Sequence, residues 1–428
     1  MTLLLLFGLF AVLVAIQMPI GFAMALSSLV VVAFTQPIPI SIVVQRLASG
    51  LDSFVLIAIP LFVLAGHLLN RAGIADRIFE FAGALVGHMR GGLAHVNVIS
   101  SMIFAGMSGV AQADAAGLGV VEVEAMKKQG FDAAFSAAIS AASAIIGPII
   151  PPSVIMVVYA VMVQASVADL FLAGLLPGLL MGGLLMATSH WLVASGRVKA
   201  PAPVPMSVVS LKRSFVRALP ALGAPVLLVA GLLLGVATPT ELGALTVVYA
   251  TVLGFAQREL TWHALLLAAR ETLLTCGALV FIIACAVPFG WIVATSQAPL
   301  RLAEFVMSIS QDRIAILAMI NLLLLVVGCF METTAVLLIA TPTLYPLVTA
   351  IGVDPVHFGI ILIVNLLIGT LTPPFGVILF IMMDIAKISL ASISRAVLPF
   401  YIPLFLTLIF VTYWPDLVLL VPRYFGMR

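Results

Sequence analysis

An apolar chain that breaks its own helices twice, in the same way, has few folds open to it. Gly147-Pro148-Ile149-Ile150-Pro151-Pro152 and Gly369-Thr370-Leu371-Thr372-Pro373-Pro374 set one Gly-x-x-x-Pro-Pro pattern into strongly hydrophobic sequence, 222 positions apart. Adjacent prolines donate no amide proton and restrict the residue before them, so an α-helix cannot run through undisturbed. In lipid, the freed carbonyls and amides are tolerated only where they line a cavity or bind something. A matched pair of breaks in two halves of a membrane protein therefore points to a transport site.

The surrounding composition supports a membrane setting. The chain is 63% hydrophobic and 8% charged, with a mean hydropathy of +1.29, which no soluble domain of 428 residues could bury. It reads as a polytopic helical protein whose solvent is the lipid bilayer. No basic patch is interleaved with aromatics, so nucleic acid is not an expected partner. Cys276, Cys285 and Cys329 lie in apolar stretches without a CxxC pair, which argues against disulfides and zinc. The start is apolar from Met1, with no basic n-region or small-residue cleavage site, and reads as a retained membrane segment.

Apolar stretches alternate with short amphipathic pieces near 41–51, 76–88, 262–271 and 300–311. One polar connector, 196–217, carries Pro201, Pro203 and Pro205 with five basic residues and no acid. It divides the chain into 1–195 and 218–421, with a tail at 422–428. Sliding the sequence by 222 also aligns Gly106 with Gly328, Gly130 with Gly352, Asp132 with Asp354 and Pro177 with Pro399, without a gap. These residue types are not forced into register by an Ala/Leu/Val-rich composition, so an internal repeat is expected. With 196–217 in the cytoplasm, basic residues divide 14 inside to 5 outside. That count requires 92–126 and 313–349 to be re-entrant hairpins, and it puts both termini in the periplasm. Broken helices follow at 133–165 and 357–385. The expected fold is all-α, with two inverted-topology repeats, two re-entrant hairpins and two broken helices.

A hairpin tip facing a broken helix brings helix ends together where water is scarce. Carbonyls at C-terminal ends can hold a desolvated Na⁺, and amides at N-terminal ends favour an anionic group. Two pseudo-symmetric Na⁺ sites are expected. One joins Gly106, Ser108 and Gly109 to Gly147, Ile150 and Ser153. The other joins Gly328, Met331 and Thr333 to Gly369, Thr372 and Phe375. Substrate is expected beside them, at Ser108, Pro151, Pro152, Thr333, Thr370, Pro373 and Pro374. Thr370 and Thr372 make the second site the richer in oxygen. Asp114 and Glu332 stand just past the two tips, where helix capping is the favoured role over a place in the site. Asp384 and Lys387 read as an interfacial pair.

Ser108-Gly109-x-x-x-Ala113-Asp114-Ala115-Ala116, Gly147 to Ser153, Gly328-Cys329-Phe330-Met331-Glu332-Thr333 and Gly369 to Pro374 together resemble the large membrane (M) subunit of tripartite ATP-independent periplasmic (TRAP) transporters. The resemblance covers essentially the whole chain. It implies a Na⁺-coupled importer of a small organic acid in a bacterial inner membrane, with a hairpin-bearing unit moving as an elevator in the manner of the ion-transporter superfamily. It implies two partners, a periplasmic solute-binding protein (P) and a small membrane subunit (Q), the latter expected as a separate chain. Where the family often has serines at the first tip, this chain has Val110-Ala111-Gln112. One rival is a binding-protein-independent carrier or ion antiporter of similar architecture. A more distant one is an intramembrane serine protease, since Gly106-Met107-Ser108-Gly109 fits a Gly-x-Ser-Gly pattern and His67 or His190 would supply the base.

Overall fold

The computed structural model describes residues 2–35, 38–201 and 205–425. Pro203, Arg428 and the end of the 422–428 tail lie outside the described residues. The first half comprises α1 (Thr2–Ala15), α2 (Ile20–Thr35), α3 (Ser41–Ser49), a 3₁₀ turn at Phe54–Ile57, α4 (Ala58–Arg71) and α5 (Ile74–Val86). It continues with α6 (Gly92–Ser108), α7 (Ala111–Ala116), α8 (Leu118–Lys128), α9 (Ala133–Ala144), α10 (Val154–Val163) and α11 (Val167–Ala194). The second half opens with α12 (Val208–Leu233), α13 (Pro239–Ala256), α14 (Trp262–Thr295) and α15 (Ala298–Ile309). Then come α16 (Arg313–Gly328), α17 (Thr333–Ala350), α18 (Pro355–Gly369), α19 (Val377–Ala386), α20 (Leu390–Tyr413) and α21 (Pro415–Phe425). Seven described helices are long and apolar enough to cross a membrane.

Each half carries a re-entrant hairpin followed by a broken helix: α6–α8 then α9/α10, and α16/α17 then α18/α19. The aligned glycines and aspartates have a shared structural cause. Gly130 and Gly352 both take left-handed φ, +90° and +71°. The amide after each bonds five residues back, Phe131 to Met126 and Val353 to Val348, closing the returning hairpin arm with a Schellman turn. Two residues on, Asp132 and Asp354 accept amide bonds as N-caps of α9 and α18. The apparent gap-free register ends at the second break, however. Gln164 and Lys387, both at φ 56°, end α10 and α19, while Ser166 and Ser389 cap α11 and α20. These pairs are 223 apart, so one residue has been inserted just past the second proline pair. Pro177 and Pro399 both lie inside helices but are not strictly equivalent positions.

Inversion follows from which ends meet. Tyr159 of α10 donates to the Pro355 carbonyl at the start of α18 (2.7 Å), and Lys127 at the base of the first hairpin donates to the Ala386 carbonyl at the end of α19 (3.3 Å). The hairpins therefore open to opposite faces. Arg71–Glu271 (2.7 Å), Arg77–Glu259 (3.0 Å) and Arg217–Glu80 (3.3 Å) gather at one end of the molecule. Arg46 stacks over Trp291 (5.3 Å to the ring centroid), twenty residues and about 30 Å further along α14. That spacing matches the thickness of a bilayer core.

Two elements differ from the sequence expectation. The amphipathic piece at 262–271 is not separate: α14 is one 34-residue helix, because Ala, Leu and Arg favour helix and neither Gly nor Pro intervenes near 272. Its first turns project beyond the apolar slab, where Glu271 meets Arg71. The polar connector is helical from Val208, which opens α12 behind a Ser207 cap.

Candidate functional site

The first junction seats the tip of the α6–α8 hairpin on the Gly147–Ser153 break. Gly109 ends α6 at φ +66°, and its carbonyl accepts the Val154 amide at 3.4 Å. A Cβ there would lie 2.5 Å from the Pro152 carbonyl oxygen. Only a glycine at this left-handed position allows so close an approach. Ser108 donates its hydroxyl to the Asp114 carboxylate. The other Asp114 oxygen is buried, has no protein partner, and occupies the space where a side chain on Gly147 would begin. Asp114 is thus not a helix cap: the cap position of α7 belongs to Val110, which supplies no side-chain bond. Ser153 caps α10, accepting the Met156 amide at 3.3 Å.

Two expected members of this site point elsewhere. Gly106 packs on Pro225 of α12, 2.5 Å from a Cβ built on it, and so belongs to the contact with the neighbouring half. Ile150 sends its side chain against Gly178 of α11. Pro151 and Pro152, joined by a cis peptide, are buried with the rest of the break.

At the second junction, α16 crosses α18 backbone to backbone. A Cβ on Gly369 would stand 2.7 Å from the Gly328 carbonyl carbon and 2.9 Å from its Cα. Thr370 and Thr372 donate to the Leu367 and Ile368 carbonyls at 2.6 and 2.9 Å, and the Thr372 hydroxyl also lies beside Cys329 and Tyr401. The Thr333 hydroxyl is buried without a protein partner. Glu332 has the capping role expected of it, accepting the Ala335 amide and the Thr334 hydroxyl, each at 3.0 Å. Met331 offers only its backbone, since its side chain enters an apolar cavity of about 170 Å³ with Phe7 and Leu302. Pro373, Pro374 and Phe375 are exposed, Phe375 at 58%. The breaks therefore differ in more than oxygen content. The first is sealed in protein, and the second is open.

A pair of clasps was not foreseen. In the first half, Asn97 of α6 bonds Ser143 (2.7 Å) and Ser140 (2.5 Å) of α9. In the second, Asn365 of α18 donates to the side-chain and backbone oxygens of Asn321 of α16, at 2.9 and 3.0 Å. Ser143 and Asn365 each stand four residues before the glycine of their break. An amide inside an apolar helix is costly unless bonded, which is the signal that would have marked these positions. Ser101 stands between Ser143 (3.0 Å) and a second buried acid, Glu122 (3.3 Å), which was also missed.

Histidine does not serve this site. His190 lies beside His95 (centroids 5.9 Å apart), thirteen residues and about 20 Å from Ser108 along α6, and His67 pairs with Glu271 at 3.7 Å. Neither histidine proposed as a base is near Ser108, whose hydroxyl donates to the Asp114 carboxylate instead. The predicted Asp384–Lys387 pair is present at 2.7 Å and fully at the surface.

Paired breaks and hairpins in inverted halves define a multi-pass membrane transporter of inverted-repeat architecture. The family model of the tripartite ATP-independent periplasmic transporter DctM component matches residues 7–417, and the chain belongs to that family of TRAP large permeases. It is 41% identical over 411 residues to the sialic acid TRAP transporter large permease protein SiaM of Vibrio cholerae, covering 95% of each chain. It is 37% identical over 422 residues to the isethionate TRAP transporter permease protein DctMQ of Oleidesulfovibrio alaskensis, covering 98% of this chain and 66% of that one. The crystal structure of the Alcanivorax borkumensis YdaH transporter has the same fold, with a TM-score of 0.62 over 87% of each chain at 14% identity. Membership supports secondary transport of organic acids, and the relatives it is grouped with are transport permeases.

Proposed function

We propose that the chain is the large permease of a Na⁺-coupled importer that takes a small organic acid from a periplasmic binding protein. The observation that carries this reading is an orphaned buried oxygen at each junction, Asp114 Oδ2 and Thr333 Oγ1, with Asn365 Oδ1 a further one in the clasp beside the second. A buried polar group without a partner costs about 1–3 kcal/mol, more for a charged one, which a bound cation offsets. The donors gathered at both junctions are oxygens, a set that suits a hard cation. Ser108, Gly109, Asp114, Gly147 and Ser153 hold the first ion, and Gly328, Thr333, Gly369 and Thr372 the second. When bound, Na⁺ supplies positive charge that pairs with the substrate's anionic group.

Substrate sits on the open side of the second break, between Thr333, Thr370, Pro373 and Pro374, with Ser108, Pro151 and Pro152 flanking it from the first. Sialic acid and isethionate, named for two relatives, are both anionic, so the shared requirement is a small anion rather than one carbon skeleton. The hairpins and broken helices move as one elevator unit against α4 and α12–α14. The membrane is a bacterial inner membrane, with 196–217 in the cytoplasm and both termini in the periplasm. A small Q subunit completes the scaffold; in the DctMQ relative the matched region is 66% of the chain.

Uptake by proteoliposomes of the assembled permease tests the partner assignment. Substrate is expected to accumulate only when an inward Na⁺ gradient and the cognate binding protein are both present. Equal accumulation without the binding protein would favour the binding-protein-independent carrier instead.

A further inference from the structure

The second break is held by a tether that the first lacks. Tyr401 of α20 donates its hydroxyl to the Leu371 carbonyl at 2.7 Å, and its phenol also lies beside Thr372 and Cys329. The ring is half-buried and stacks on Phe405, with centroids 5.8 Å apart. The equivalent carbonyl in the first half, Ile149, meets no hydroxyl. It lies against Gly174 of α11, so close that no side chain fits there. At the repeat position of Tyr401, allowing for the inserted residue, stands Gly178, against which Ile149 and Ile150 pack. One spanning helix closes directly on its break. The other stands off and spans the gap with a phenol.

This difference matches the exposure of the two breaks. Break one is buried throughout, whereas Pro373, Pro374 and Phe375 are exposed. The exposed prolines begin two residues after Leu371, which is buried between Thr370 and Thr372, so the Tyr401 bond falls where the break turns from buried to open. We infer that Tyr401 is a positioning residue for the second junction: by fixing the Leu371 carbonyl it orients the Thr370 and Thr372 oxygens for their ligands. It touches neither ion nor substrate in this role. The inference rests on the Na⁺ reading above and adds a residue from outside both hairpins and both breaks.

Tyr401→Phe removes the hydroxyl and keeps the ring, so packing against Phe405 is retained. In proteoliposomes supplied with binding protein, the half-saturating Na⁺ concentration is expected to rise about fivefold, the equivalent of one lost hydrogen bond of about 1 kcal/mol. Maximal uptake and the melting temperature in Na⁺-free buffer are expected to stay at wild-type values. Tyr249→Phe is the control. Tyr249 makes the same 2.7 Å bond, to Pro220 between α12 and α13, away from both junctions, and should leave the Na⁺ dependence unchanged. An unaltered half-saturation in Tyr401→Phe, or a loss explained by a lower Na⁺-free melting temperature, would overturn the assignment. A wild-type protein with no Na⁺ dependence would overturn the underlying Na⁺ reading itself.

Discussion

Gly369→Ala is expected to reduce uptake to near background, on the order of 100-fold, the scale of misplacing a site by ~1 Å. The added carbon would stand 2.7–2.9 Å from the Gly328 backbone, where no flexible side chain can swing aside. The two helices must part, and with them Gly328 and Cys329 must leave Gly369 and Thr372. Overpacking of this kind costs about 1–3 kcal/mol, which a membrane-buried helix pair can absorb while remaining folded. Gly183→Ala on α11 is the matched control, since a Cβ there meets nothing within 4 Å. It should transport normally and, as alanine is the better helix former, be no less stable. Uptake rates measured beside the melting temperature separate loss of the site from loss of the fold.

The second large effect concerns the two acids at the hairpin tips. Asp114→Asn is expected to remove the first junction's share of the stabilisation by Na⁺, leaving a weaker and less steep response from the second, with Na⁺-free stability equal or higher. The carboxylate is buried, accepts only Ser108 and has one oxygen facing Gly147, so without a cation it is an uncompensated charge. An amide of the same shape carries no charge to bury, so nothing is lost when Na⁺ is absent. Glu332→Gln should behave in the opposite way. Its carboxylate caps α17, so its replacement costs about 1 kcal/mol of stability with Na⁺ dependence preserved. Melting curves of both variants across a Na⁺ titration read the contrast directly. If both variants lose the Na⁺ response equally, the division of roles between the two acids is wrong.

The sequence made legible those features that act through backbone chemistry. Proline pairs break helices, glycines before aspartates end one helix and start the next, and a 35-residue apolar stretch is too long for one crossing. Each of these consequences is local, so Gly130–Asp132 and Gly352–Asp354 could be matched before any contact was known. What stayed hidden depends on residues brought from far along the chain. Neither Ile149 nor Leu371 carries a sign that one carbonyl meets a glycine and the other a tyrosine. Gly106 was read as part of a tip, yet its neighbour is Pro225 in the other half. Asp114 and Glu332 occupy similar positions in sequence, and only the capping geometry separates them. The one-residue offset past Pro374 was masked because Pro177 and Pro399 still fall 222 apart by coincidence of spacing.

The central claim is that the two junctions are Na⁺ sites, and melting of the purified protein tests it most directly. In buffers matched for ionic strength, Na⁺ is expected to raise the melting temperature by several degrees over K⁺, with a steepness in Na⁺ concentration that requires more than one ion. Equal melting temperatures in Na⁺ and K⁺ across the titration would contradict the account.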